Sequence, residues 1–555
     1  MYEAHLLRRS YREGGKVRNE TLANLSRLPR ETIELVRRSL RGEQFLSAAD
    51  AFEVERSLPH GHVACVLGMA RRLELGRLLD RCPSPERARV LAMICQRVLA
   101  PGSKLACTRA LGQSTLAEEL AVEGVDADGL YAALDWLLER QQRIEARLAG
   151  RHLQEGSHVL YDVSSSYFEG RTCSLLAFGY SRDGRRGSLQ VIYGLLCDQE
   201  GRPVAIEVFP GGLHDDKTLP AQIAKLRGRF GFRTLVLIID RGMATKANLE
   251  TLAADPGIGW ITALKAPQVK KLVREGALQL SLFDEHNLGE IASPDYPGER
   301  LVVCRNPLVA QERARKREEL LQATEAALAQ VKQRVDAGSL AGAAEIALAV
   351  GQLINKRKVK KHFELVIEDS RFEYRRKQEQ IDEEAALDGF YVLRTNLADQ
   401  TLAAPDVVRS YKQLAHAEQA FRTLKSPELE IRPIRHRRED RVRAHAFLCL
   451  LAYYLEWHLR RAWAPLLFID EQPPLSANPV AKAERSPAAK RKASTQRTAD
   501  GGVCHSFTSL LAELALIVRD TNRISDTDAV FTKTTNANQT QAHALALVGL
   551  DPKRL

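Results

Sequence analysis

Three carboxylates stand out by residue type and by position. VLYD ends an apolar run at Asp162, and LVLIID ends another at Asp240. The third, Glu418, lies in YKQLAHAEQAFRTLK, Tyr411 to Lys425. Two strand-end aspartates and one helix glutamate, brought together, make an all-oxygen site with no soft ligand. Such a site suits Mg²⁺ or Mn²⁺, not zinc. Three clustered carboxylates also repel one another unless divalent cations neutralise them. Two such ions ~3.5–4 Å apart can activate a water or hydroxyl and stabilise the leaving oxygen of an in-line phosphoryl transfer.

The elements that must position these groups follow from the pattern around them. An acidic residue directly after a buried strand sits at the C-terminal edge of a sheet, where α/β proteins place their sites. Alone, such an Asp more often opens a turn or caps a helix, but RGMA separates Asp240 from the helix after it. In the third block, Leu414, Ala417, Phe421 and Leu424 form an apolar stripe at helical spacing. Tyr411, Glu418 and Lys425 recur every seven residues along a line beside that stripe. Lys412, His416, Gln419 and Thr423 mark the wet face. Glu418 is therefore expected at the margin of a core, on one helix with Tyr411 and Lys425. After it the chain turns basic: Arg422, Lys425, Arg432, Arg435, Arg437, Arg438, Arg441 and Arg443 face only Glu428, Glu430, Glu439 and Asp440. Metal, carboxylates and cations together point to nucleic-acid strand chemistry.

The 555 residues carry 81 Lys and Arg against 70 Asp and Glu, a net +11. The excess suits a polyanionic partner without requiring one. None of the nine cysteines forms a C-x-x-C pair, which disfavours zinc ribbons and thioredoxin-like motifs. The longest strongly apolar run, AFLCLLAYYL, is too short to span a bilayer. No signal h-region is visible, so a cytoplasmic protein without a membrane partner is expected.

Along the chain the pattern divides into seven parts. Residues 1–59 form a basic arm clustered around Gly14-Gly15, read equally well as a solvated tail or as an arm on a phosphate backbone. Residues 60–152 are helical and a candidate DNA-binding domain, with a Pro101-Gly102 break compatible with helix-turn-helix or with any bundle. Short strands and alternating helices over 153–265 make the first part of a mixed α/β core. Residues 266–388 read as an inserted subdomain: a helical hairpin plus a β-hairpin turning at Asp369-Ser370. The core resumes over 389–465. Residues 466–502 are Pro/Ala/Ser/Lys-rich and read as a disordered linker. Residues 503–555 close as a helical segment.

YDVSSSYFEG around Asp162, LIIDRGMATKANL around Asp240 and the Glu418 block, in this order, resemble the DDE transposases of bacterial insertion sequences, specifically the insertion-sequence-four-like group. The third block is similar to that group's Tyr-x2-Arg-x3-Glu-x6-Lys signature. Tyr411, Glu418 and Lys425 match it, and Leu414 stands where the signature has Arg. The resemblance implies a ribonuclease-H-like α/β core interrupted by an insertion. It implies that Asp162, Asp240 and Glu418 hold two Mg²⁺ (or Mn²⁺) ions. It further implies cleavage at a mobile element's terminal inverted repeats and joining to double-stranded target DNA by a nucleoid-associated homodimer assembled on DNA. Tyr411 and Lys425 inherit contacts to the transferred end. Arg422 is the candidate to replace the missing Arg, with Arg435 and Arg438 as further DNA-binding residues. Two alternatives stay open: a structure-specific nuclease on the same core, and a DNA-binding remnant that has lost its chemistry.

Other clusters are weaker. His60 and His62 are an isolated pair without further ligands, and Ser164–Ser166 lack a base partner. His214, Asp215 and Asp216 read as a helix N-terminus. The heptad stripe Leu321, Leu328, Val335 reads as a packing or dimer surface.

Overall fold

A computed structural model describes residues 3–43, 45, 51–283, 286–432, 434–525 and 527–555, with Lys356 described by its backbone alone. Small parts of the 1–59 arm, the insertion, the second core part and the C-terminal segment therefore lie outside the described residues. Two compact units emerge: Met1–Leu58 with Val518–Thr535, and Pro59–Ile517 with Asn536–Leu555.

The larger unit is organised by an eight-stranded sheet. His158–Tyr167, Gln190–Asp198 and Pro203–Pro210 form an antiparallel meander. On the other side of His158–Tyr167 lie Leu235–Ile239 and then Ile258–Ala263, both parallel. Phe390–Thr395, Arg300–Arg305 and Leu288–Ile291 complete the sheet antiparallel. Gln190–Asp198 is buried along its whole length, and so is Leu235–Ile239. That explains why these strands read as continuous apolar runs and not as alternating ones.

Two of these strands fall inside 266–388, so that stretch is not wholly separate from the core sheet. The run LVVC is short and bounded by charge, and its partner Phe390–Thr395 comes much later in the chain. The rest of the stretch, helices Pro307–Asp336 and Ala343–Arg357 with the hairpin Phe363–Glu368 and Arg371–Arg376, closes around its own core. Leu321, Leu328 and Val335 are buried there with Ile346 and Phe372. The heptad stripe is thus an internal face.

Helices between Gly61 and His152 pack around the long helix Glu439–Ala462. The run AFLCLLAYYL is buried within that helix. Among the described residues no single helix is long and apolar enough to cross a membrane. The segment 466–502 differs from its expected disorder. It carries a helix, Pro487–Thr495, and Lys492 is buried with its ammonium on the carbonyls of Ala464 (2.8 Å) and Leu467 (3.2 Å) and on Glu471 (2.7 Å). The C-terminal segment holds two helices, Phe507–Ala515 and Gln539–Leu547, and two unexpected strands, Val518–Ile524 and Val530–Thr534.

The smaller unit contains the hairpin Leu6–Glu13 and Lys16–Asn24, the helix Arg30–Leu40, and a three-stranded sheet. That sheet runs Val530–Thr534, Val518–Ile524, Phe52–Pro59.

Candidate active site

The two aspartates meet where the parallel pairing of their strands stops; Asp240 follows its strand as expected, but the strand of Asp162 does not end there and runs on to Tyr167. Tyr161 lies opposite Ile239 across the His158–Tyr167 and Leu235–Ile239 pair, so Asp162 and Asp240 occupy the next position along neighbouring segments. Asp162 is still within its strand, and its Oδ1 accepts from the Val163 N–H at 2.8 Å. Asp240 follows its strand, and its Oδ2 accepts from the Gly242 N–H at 3.1 Å. The local turn is real, yet the helix begins only at Lys246, capped by Thr245.

Glu418 comes from the helix Leu414–Lys425, which packs on the Asp162 strand. Leu414, Ala417, Phe421 and Leu424 are buried as the stripe requires. Each fully buried Leu or Phe contributes ~1.5–3 kcal/mol, which anchors the helix on the sheet. Two details differ from expectation. Glu418 is exposed and not half-shielded, whereas Thr423, assigned to the wet face, is buried. The helix is also broken: Tyr411 belongs to Ala404–Lys412, and Gln413 separates it from Glu418 and Lys425.

The three carboxylates nevertheless share one electrostatic field. Burial, and then the charges of Glu418 and Asp240, push the Asp162 carboxyl up to about 7 against the Val163 N–H, which lowers it. Tyr411 is raised by burial and by the same three carboxylates, while Arg241 opposes them. Among the described residues, no three Asp, Glu, His or Cys side chains close into a ready-made cation cage. The donor set still fits a hard divalent cation. It is oxygen only, and it gathers like charges where a positive ion would relieve them.

Around this centre the structure adds residues that the sequence did not single out. Asp183, its side chain 1% exposed, receives Lys425 at 2.9 Å and Arg432 at 2.6 Å, and accepts from the Tyr167 N–H. Lys425 also donates to Ser164 Oγ at 2.7 Å. Lys425 is thus held by Asp183 and not by Glu418. Arg182 pairs with Asp215, and its backbone N–H donates to Ser165 Oγ. A cavity of about 460 Å³ opens beside Gly242, lined by Tyr180, Arg182, Gln190 and Asp215. Arg182 and Asp183 both lie in the short SRDGRRG run, which reads as a turn.

Leu414 is core, 6% exposed. Arg422 is exposed one turn after Glu418, and among the described residues neither has an ion-pair partner. Arg435 and Arg438 are largely exposed, beside Glu169 (3.2 Å) and Asp440 (3.7 Å). His60 is buried on Thr115 Oγ1 at 2.8 Å, and the Ser164 and Ser165 hydroxyls are spent on Lys425 and the loop.

Residues 171–455, just over half of the chain, match the transposase DDE domain. Residues 1–51 match the N-terminal domain of the IS1634 family of transposases. The DDE match holds Asp240 and Glu418 and begins shortly after Asp162. No curated protein matches the chain. Among solved structures, a piggyBac transposase synaptic complex with hairpin DNA aligns at 9% identity with a TM-score of 0.34, covering 82% of this chain and 76% of that one. A Mos1 transposase paired-end complex aligns at 13% identity with a TM-score of 0.15, covering 44% and 70%. Assignment rests on the two sequence matches, at the catalytic half and at the N-terminus. By these the chain belongs to the DDE transposases of insertion sequences, metal-dependent enzymes that cut and join DNA.

Proposed function

We propose that Asp162, Asp240 and Glu418 are the catalytic carboxylates, and that they hold two Mg²⁺ or Mn²⁺ ions. The observation that carries this is the convergence of two adjacent strands, with Asp162 midway along one and Asp240 just past the end of the other, and one packed helix on a shared negative field. Cations bound there supply charge neutralisation and activation of the attacking oxygen. The strand order supports a ribonuclease-H-like core: a three-strand antiparallel meander, with two parallel strands added beside its first strand.

The chain's own residues prepare the site. Asp162 and Asp240 are fixed by the Val163 and Gly242 N–H groups before substrate arrives. Tyr411, half-buried and held neutral, offers a donor and an aromatic face to a separated DNA end. Lys425 and Arg432, both steadied by Asp183, make a cationic edge for the phosphate of that end. Arg422 stands in for the charge that Leu414 lacks. Arg435 and Arg438 extend the track along the duplex. Two ends must be processed together, which supports a homodimer assembled on DNA, acting at the bacterial nucleoid.

The test is end cleavage by Asp162→Ala, Asp240→Ala and Glu418→Ala. Losing one ligand should cut the rate by at least about a hundredfold, since even outer-shell partners of a metal are worth ten to a hundredfold. Binding of end DNA should persist. A variant that cuts at the wild-type rate removes that residue from the site.

A further inference from the structure

The N-terminal hairpin is a nearly naked two-stranded ribbon. Leu6–Glu13 and Lys16–Asn24 turn on Gly14 and Gly15, with φ of 58° and 79°, a left-handed pair that glycine allows and that matches strand twist. Its base is pinned: the His5 N–H donates to Ser26 Oγ at 2.8 Å, and the Leu25 N–H donates to the His5 carbonyl at 2.8 Å. Beyond that base almost every side chain is exposed. Isolated two-stranded ribbons are marginal in water, so a ribbon this exposed is built to meet something.

Its two faces differ. Pairing sets Arg8 opposite Thr21, Ser10 opposite Asn19 and Arg12 opposite Val17 on one face. Arg9, Tyr11 and Glu13 lie opposite Glu20, Arg18 and Lys16 on the other. Both carboxylates of the ribbon are on this second face, where Glu13 pairs with Arg18 at 3.1 Å. The first face has no carboxylate. Arg8 and Arg12 are exposed there and, among the described residues, have no ion-pair partner. Between them Ser10 donates to Asn19 Oδ1 at 2.6 Å, so the donor groups of the Asn19 amide are not used by Ser10.

We propose that this ribbon enters the major groove of DNA and reads sequence with Arg8, Ser10, Arg12 and Asn19. Charge complementarity names the partner: five cations against two carboxylates over Leu6–Asn24 suit a polyanion. Geometry names the groove. The major groove, about 12 Å wide, admits a two-stranded ribbon. Alternate residues on a strand are ~7 Å apart, two base-pair steps of ~3.4 Å each. Arg pairs with guanine and Asn with adenine through two hydrogen bonds, and the Val17 and Thr21 methyl groups suit thymine. Arg9 and Lys16 on the opposite face are left for phosphates, while Arg18 is paired with Glu13. The inference takes DNA as partner from the family and depends on nothing else in the catalytic reading.

Selection from a duplex library with a randomised centre, using the full chain without divalent ion, tests this directly. Wild type should enrich a short motif. Arg8→Ala with Arg12→Ala, and separately Asn19→Ala, should each lose roughly ten- to hundredfold of the preference at one or two positions. Their affinity for unselected duplex should fall far less. Replacing guanine by 7-deazaguanine, which alters only the major-groove edge, should mimic the Arg variants. Arg9→Ala should weaken all duplexes alike and lower the salt slope by about one. An unchanged motif in the face variants overturns the proposal, as does a wild type that enriches nothing. So does an unchanged motif with altered oligomeric state, which would give the ribbon a protein partner instead. None of these outcomes bears on the carboxylates, whose alanine variants are read by cleavage.

Discussion

Glu456 shows how a single residue in the long helix can couple the fold to pH. Its side chain is fully buried, paired with Arg460 at 2.6 Å, and Arg460 also holds Glu428 at 2.7 Å. Burial outweighs Arg460 and pushes the Glu456 carboxyl up to about 7. A carboxyl raised in the folded state favours its acid form there. Its contribution is complete below the unfolded value near 4.5 and is lost as pH rises through about 7. The shift is worth about 3 kcal/mol. Glu456→Gln should therefore flatten the stability-pH curve between those limits, and melting curves at pH 5 and pH 8 read the difference. An unchanged difference from wild type would mean that Glu456 is already ionised in the fold. The same scale shows what sequence spacing can and cannot reveal. The adjacency of Asp162 and Asp240 was legible because each carboxylate closes an apolar run and a third acidic block follows them in order. Asp183 was not, because an Asp between Arg and Gly reads as a turn. Only the fold brings it under Lys425 and Arg432.

At the scale of elements, the Asp162 strand depends on its neighbour being small. A Cβ added at Gly194 would collide with the Tyr161 hydroxyl, and Tyr161 is fully buried beside Asp162. Gly194 faces Val163 across the meander. Gly194→Ala should cost ~1–3 kcal/mol by overpacking and displace the strand that carries Asp162. Thermal melting reads the first effect, and end cleavage at a temperature where the variant is folded reads the second. Unchanged stability would show that the strand pair can spread without cost. The Glu418 stripe and the long helices were legible from their period, and the buried strands from short apolar runs between turns. The break at Gln413 was not, because its backbone stays close to helical and the apolar period runs through it. Nor was the packed segment after residue 466. Lys492 looks like solvent-facing charge, yet it satisfies carbonyls left open near the end of a long helix.

At the scale of the whole molecule, the proposed DNA contacts fall in both units of the chain. The smaller unit offers a carboxylate-free ribbon face, and the larger unit offers the cationic edge of Lys425 and Arg432 proposed to take phosphate. Recognition and chemistry can then fail separately, so binding and cutting are measured apart. The central claim is that one carboxylate set performs both cleavage and joining. The most direct measurement supplies pre-cut ends bearing 3′ hydroxyls, target duplex and Mn²⁺, and follows joined product for wild type and Glu418→Ala. The account predicts joined molecules from wild type and none above background from Glu418→Ala, with end binding intact in both. Joined product from Glu418→Ala at the wild-type rate, or only cut molecules from wild type, would contradict it.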